Sequence, residues 1–147
     1  MPVISVTVLK SICPIANCKK YWTFLPAVLF TAAVAYLSLT ESAQAPSVAL
    51  NDKVIHACIY LVLAITWLLP LKSPISNIQF PIYAVVLLGT TAFGGLMELL
   101  QHFCTLTRSG EWLDLLADFV GALIGVIIIA IITIVNQSST RKSSTRQ

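Results

Sequence analysis

Four segments of this 147-residue chain are apolar enough to be considered as membrane-spanning helices: 21–39, 54–69, 81–103 and 111–135. A helix rises about 1.5 Å per residue, so about 20 apolar residues cross a hydrocarbon core of about 30 Å. Hydrophobic residues make up 57% of the chain and charged residues only 10%, too few to cover the surface of a soluble domain. The sequence therefore predicts an all-α fold, an integral membrane four-helix bundle with four transmembrane helices.

The predicted bundle occupies 21–135 and leaves a segment at each end. Residues 1–20 resemble a signal peptide poorly, because they lack an early basic region and Pro14 and Asn17 interrupt the apolar run. We interpret them as a cytoplasmic N-terminal segment. Residues 136–147 are rich in Ser and Thr and carry Arg141, Lys142 and Arg146. This composition predicts a disordered, basic cytoplasmic tail.

The basic residues are distributed unequally between the two ends of the predicted helices. Seven of the nine would lie on the side of the termini, and only Lys53 and Arg108 on the other side. Cytoplasmic loops carry the excess of Lys and Arg in membrane proteins, so both termini are predicted to be cytoplasmic. This topology places all six carboxylates in the outer half of the bundle or the outer loops: Glu41, Asp52, Glu98, Glu111, Asp114 and Asp118.

Three predicted helices carry polar side chains at similar depth near this outer end. Within each helix they recur three or four residues apart, a spacing that places them on one face. Polar groups at membrane depth are costly and usually have a function. We predict that these faces turn inward and form one functional cluster, with two basic residues as counter-ions. The predicted cluster comprises Asp52, Lys53, His56, Tyr60, Glu98, Gln101, Arg108, Asp114 and Asp118.

Glycines accompany the cluster on the third and fourth predicted helices. Small residues allow helix backbones to approach each other closely inside a membrane. Gly94 and Gly95 precede Glu98, whereas Gly121 and Gly125 follow Asp118 on nearly the same face. We predict that these four glycines serve in helix packing.

Several other interpretations of the same polar residues stay open. Polar side chains between membrane helices can serve only as interhelical contacts, worth about 0.6 kcal/mol on average. Glu98 and His56 could form an acid–base pair that activates a water molecule. A metal site built from His56, His102, Glu98 and Asp118 is conceivable, but no H-x-x-x-H or H-E-x-x-H spacing supports it. We therefore predict no metal and no cofactor.

Together these residues resemble the motifs of the VanZ-like membrane proteins. The matching stretches are D-K-x-x-H-x-x-x-Y at 52–60, E-x-x-Q at 98–101, Arg108, and W-x-D-x-x-A-x-x-x-G at 112–121. The resemblance covers roughly 37–125, and Asp118 departs from it, because asparagine is expected there. It implies a VanZ-like membrane domain over 21–135 in a bacterial cytoplasmic (inner) membrane protein connected with the cell envelope. The founding member of the family is associated with low-level resistance to the glycopeptide teicoplanin.

The cluster and the resemblance together predict an outward-facing polar, acidic site that binds or acts on a cell-envelope component. Membrane lipids or a lipid-linked envelope component are the expected partners, and no nucleic acid is expected. Teicoplanin resistance is one function that the family would imply. Two alternatives stay open: an intramembrane hydrolase or transferase acting on a lipid-linked substrate, and a structural or assembly partner in the membrane. The oligomeric state is also left open.

Overall fold

The computed structural model describes residues 22–40, 49–71, 79–104 and 111–144. Within these ranges the regular secondary structure consists of helices alone: α1 (Leu25–Leu39), α2 (Ala49–Leu71), α3 (Gln79–Cys104) and α4 (Trp112–Ser144). The predicted all-α class is therefore confirmed for this part of the chain. The predicted N-terminal segment 1–20 and Arg108 of the predicted cluster lie outside the described residues.

Three of the helices are long and apolar enough to cross a membrane. The candidate spans are Asp52–Leu71, Phe80–Cys104 and Trp112–Ser139. Large apolar side chains such as Val62 and Leu88 are exposed along them, as expected for surfaces that face lipid. α1 has 15 residues, fewer than the roughly 20 that cross a bilayer. The fold is thus compatible with a multi-pass membrane protein, and the predicted four-span arrangement stays a prediction.

Two helix boundaries differ from those expected from the sequence. α2 begins at Ala49, so Asp52 lies within its first turn, where a carboxylate interacts favourably with the helix dipole. α4 continues to Ser144, through most of the segment 136–147 for which the composition predicts disorder. No Pro or Gly interrupts residues 136–144, and each residue added to an existing helix extends its hydrogen-bond ladder without a new nucleation step.

α2 and α4 form the most extensively packed pair of helices and run parallel to each other. The direction follows from the contacts, because Gly121 faces Ala57 and Gly125 faces Leu61, one turn further along both helices. A Cβ atom on Gly121 would overlap the backbone of Ala57, and one on Gly125 would stand 2.7 Å from the Leu61 carbonyl oxygen. The two glycines therefore permit a backbone approach that larger residues would prevent.

α3 packs against both of these helices and runs in the opposite direction. Gly94 of α3 lies beside Asp118 of α4, whereas Glu98, one turn later in α3, reaches Glu111 just before α4 begins. The end of α3 therefore meets the start of α4. The start of α2 lies at the same end of the bundle, because α2 is parallel to α4.

α1 is joined to this three-helix unit by side-chain hydrogen bonds. Trp67 Nε1 of α2 donates to Thr31 Oγ1 of α1 over 3.1 Å, and Gln101 Nε2 of α3 donates to the Ser38 carbonyl oxygen over 2.9 Å. Apolar side chains of α2, α3 and α4 fill the interior away from the polar end. This core contains Tyr60, Leu63, Ala64, Leu68, Val86, Ala122, Val126 and Ile129.

Candidate functional site

Polar side chains converge where the starts of α2 and α4 meet the end of α3. Three carboxylates at this end are buried, those of Glu98, Asp114 and Asp118, although the surrounding helices are mainly apolar. Each buried side-chain oxygen or nitrogen in the described part of the chain has a hydrogen-bond partner. Burying charged groups is unfavourable unless partners compensate, so the contacts of each carboxylate determine what the site can do.

Lys53 joins the starts of α2 and α4 through two ion pairs. Its Nζ atom lies 3.0 Å from Asp114 Oδ1 and 3.1 Å from Glu111 Oε2. The Asp114 side chain is 10% exposed, whereas that of Glu111 is 56% exposed. The sequence predicts Lys53 as a counter-ion of the cluster, and the structure pairs it with these two carboxylates. Lys53 therefore neutralises negative charge of Asp114 and Glu111 at the start of α4.

Asp118 lies deeper and contacts the histidine of α2. His56 Nδ1 and Asp118 Oδ1 are 2.9 Å apart, and the Asp118 side chain is only 1% exposed. When Asp118 is ionised, its carboxylate accepts this bond from a protonated Nδ1, and the bond orients the imidazole ring. The other oxygen, Oδ2, faces Gly94, and the ring of the buried Tyr60 adjoins the same position. Gly94 thus leaves room for the Asp118 carboxylate between α3 and α4.

Glu98 is bound by the backbone that leads into α4. The backbone N–H of Glu111 donates to Glu98 Oε2 over 2.9 Å, and the N–H of Asp114 donates to the Glu111 carbonyl oxygen over 2.9 Å. A carboxylate at a helix start is stabilised by the N–H groups and the dipole of that helix. Glu98 therefore connects α3 to the beginning of α4, and within the described ranges it forms no ion pair with a lysine.

One imidazole lies among four carboxylates in this arrangement. Single ligand atoms of His56, Glu98 and Asp118 all lie within 4.8 Å of one another, and the same holds for His56 with Asp52 and Asp114. Carboxylate oxygens and an imidazole nitrogen at such distances can hold a cation, accept hydrogen bonds from hydroxyl or ammonium groups, or transfer a proton.

Three further residues named in the sequence analysis differ in their surroundings. Tyr60 is buried beneath Asp118, and Gln101 is buried but donates to the Ser38 carbonyl oxygen. His102, four residues after Glu98 in the sequence and named above as a conceivable metal ligand, is exposed and lies edge-on to the Phe103 ring, 5.1 Å between centroids.

The four glycines predicted for packing differ in their surroundings. Gly94 lies against the Asp118 side chain. Gly121 lies against the backbone of Ala57, and Gly125 lies against the Leu61 carbonyl oxygen. A Cβ on Gly95 would meet only the side chain of Leu115, at 3.6 Å, an ordinary van der Waals distance.

Two contributors to the site were not predicted from the sequence. The Glu111 carboxylate pairs with Lys53, and the Glu111 backbone N–H donates to Glu98. Its position three residues before Asp114, near a helix start, was the sequence signal that could have identified it. The Ser38 carbonyl oxygen had no signal, because every residue carries a backbone carbonyl.

No protein-family model matches the chain, and no curated protein or solved structure is significantly similar to it.

Proposed function

We propose that this chain is a four-span protein of the bacterial cytoplasmic membrane whose outward-facing polar site binds the head group of a cell-envelope lipid or lipid-linked precursor. Both termini would lie in the cytoplasm, as the unequal distribution of basic residues favours. The observation that carries the proposal is the convergence of buried Glu98, Asp114 and Asp118 with Lys53 and His56 at one end of an apolar bundle. Polar groups at membrane depth most often serve a function.

The resemblance to the VanZ-like proteins supports this proposal independently of composition. Its motifs on α2, α3 and α4 lie far apart along the chain, yet Lys53, His56, Glu98 and Asp114 from those motifs lie at the same end of the bundle. A relation to that family would associate the site with the envelope and, in some members, with glycopeptide resistance. Teicoplanin susceptibility of a strain lacking this chain would test that association.

The charge of the site and its surroundings favour a particular kind of ligand. Five carboxylates lie at this end, and among the described residues only Lys53 and His56 pair with any of them. A ligand with hydroxyl or ammonium donors therefore complements the site better than an anion. A groove of about 500 Å³ begins at Lys53 and continues along α2 and α4 between apolar side chains such as Leu61 and Val120. It suits a lipid chain whose polar end lies at the cluster.

The proposal is tested by the lipids that co-purify with the protein in mild detergent. We expect one envelope lipid or precursor to be enriched over its share of the bulk membrane. Glu98→Gln should abolish the enrichment at matched expression, because it keeps the side-chain shape but removes a charge. His102→Gln changes an exposed polar side chain of the same helix and should retain the lipid. Lipids in the bulk proportions with the wild-type protein would contradict the proposal.

The bond between His56 and Asp118 favours a second candidate, an intramembrane hydrolase or transferase. A histidine oriented by a buried carboxylate is the arrangement that general bases commonly use, and here the base would activate water. If the protein is an enzyme, purified wild-type protein should turn over a radiolabelled lipid-linked precursor, and Asp118→Asn should lower kcat more than it raises KM. A protein that only binds the precursor would give no turnover in either form.

A further inference from the structure

We propose that His56, Glu98 and Asp118 together bind one divalent transition-metal ion of the zinc class. Each of α2, α3 and α4 supplies one ligand, and the three ligand atoms already lie within 4.8 Å of one another. The inference goes beyond the proposed function, because the ion would bind to the protein without any envelope lipid.

The donor set has the composition of a zinc site. Zinc binds imidazole nitrogen and carboxylate oxygen at about 2.0–2.2 Å, and sites that perform chemistry commonly have three protein ligands and one open position. Magnesium and calcium prefer oxygen ligands alone, so the imidazole of His56 favours a transition metal. Two ligands of one tetrahedral zinc ion stand about 3.3 Å apart, so His56 Nδ1 and Asp118 Oδ1, now 2.9 Å apart in a hydrogen bond, would need to separate only slightly. The ion would take the place of the proton on Nδ1, and the neutral imidazole would carry its one proton on Nε2.

The charges of the buried groups also call for a cation. Lys53 is occupied by Asp114 and Glu111, and no Lys or Arg within 22–40, 49–71, 79–104 and 111–144 forms an ion pair with Glu98 or Asp118. Two ionised carboxylates beside a neutral imidazole carry two negative charges, which a divalent ion balances. Neutralisation by a protein cation from outside these residues is the competing explanation, and it predicts no metal binding.

His56 could also bind a metal ion together with Asp52 and Asp114, which form a second set of possible ligands. The two sets differ in the burial of their carboxylates. Asp118 is 1% exposed and Glu98 is 9% exposed. In the second set, Asp52 is only half-buried and Asp114 is already paired with Lys53. Space for the deeper set is maintained by Gly94, since a Cβ there would stand 2.5 Å from Asp118 Oδ2. Both carboxylates of the Glu98 set are therefore buried, and neither is paired with a lysine in the described part of the chain.

The test is a zinc titration of the full chain, purified in detergent, stripped with a chelator and given no added lipid. We expect one zinc ion per chain, and at least about tenfold weaker binding for Glu98→Gln and for Asp118→Asn. His102→Gln should bind zinc like the wild type, because His102 is exposed and lies outside the set. Absence of stoichiometric binding, or equal affinity in all four proteins, would overturn the inference.

A second measurement on the wild-type protein does not depend on how the variants fold. X-ray absorption at the zinc edge should show nitrogen and oxygen ligands only. Sulfur ligands would place the ion at thiols such as the free, exposed Cys58 and Cys104, and would overturn the inference.

The lipid experiment, performed on metal-free protein, separates the two proposals. Lipid enrichment without zinc binding would retain only the proposed function, whereas zinc binding without lipid enrichment would retain only the metal site.

Discussion

Gly94 of α3 lies so close to Asp118 of α4 that a Cβ atom added to the glycine would stand 2.5 Å from Asp118 Oδ2. The other oxygen of this buried carboxylate contacts His56 Nδ1 at 2.9 Å. An unsubstituted backbone at position 94 therefore leaves the space in which the carboxylate can meet the imidazole. This relationship makes Gly94 a part of the site, although it carries no functional group.

Gly94→Ala should destabilise the protein and displace Asp118 from His56. Insertion of a methyl group into a packed interior typically costs about 1–3 kcal/mol, and the nearest atoms here belong to buried side chains. The midpoint of thermal unfolding in detergent measures the effect. Gly89→Ala on the same helix is the matched control, because its added Cβ would meet nothing within 4 Å. Equal midpoints for the two variants would show that Asp118 does not lie against Gly94.

Gly121→Ala should also lower the unfolding midpoint, even though alanine favours a helix more than glycine does. The added Cβ would overlap the backbone of Ala57, which cannot rotate away as a side chain can, so α2 and α4 must separate. Gly121→Leu should be still less stable. Gly95→Ala serves as control, since its Cβ makes only an ordinary contact with Leu115. A Gly121→Leu protein as stable as wild type would mean that this face looks towards lipid.

Trp67→Phe should weaken the attachment of α1 to α2. It removes the hydrogen bond from Trp67 Nε1 to Thr31 Oγ1, and interhelical hydrogen bonds in membranes are worth about 0.6 kcal/mol on average. Thr31→Val removes the same bond from the other side, so a double-mutant cycle on unfolding free energies should show coupling between the two. Trp22→Phe controls for the change of ring, since Trp22 is exposed. Additive effects of Trp67→Phe and Thr31→Val would argue against the contact.

The proposed orientation predicts the activity of alkaline phosphatase fusions, which are active only outside the cytoplasm. A fusion after Gln147 should be inactive, because the positive-inside rule places the C-terminus in the cytoplasm. A fusion within 43–48, between α1 and α2, should be active at matched expression. The opposite pattern would turn the polar cluster towards the cytoplasm and refute an outward-facing site.

The helical class and the approximate position of the polar groups could be predicted from the sequence. Apolar runs long enough to span a bilayer predict helices, because a backbone in lipid must form its hydrogen bonds internally. The period of the helix relates residues three or four apart, so it placed His56 and Tyr60 on one face without any knowledge of neighbouring helices. The same period places His102 on the face of Glu98, four residues earlier, but it could not show that His102 would be exposed.

The partners of the polar groups depended on tertiary structure. Lys53 pairs with Glu111 across 58 residues and with Asp114 across 61, and His56 meets Asp118 across 62. These pairs exist because α2 and α4 are parallel neighbours, held closely together where Gly121 meets Ala57. Glu98 instead receives a backbone N–H, which every residue other than proline offers and which therefore leaves no trace in the sequence. Periodicity acts within one helix, whereas the order, direction and rotation of packed helices determine which charged groups meet.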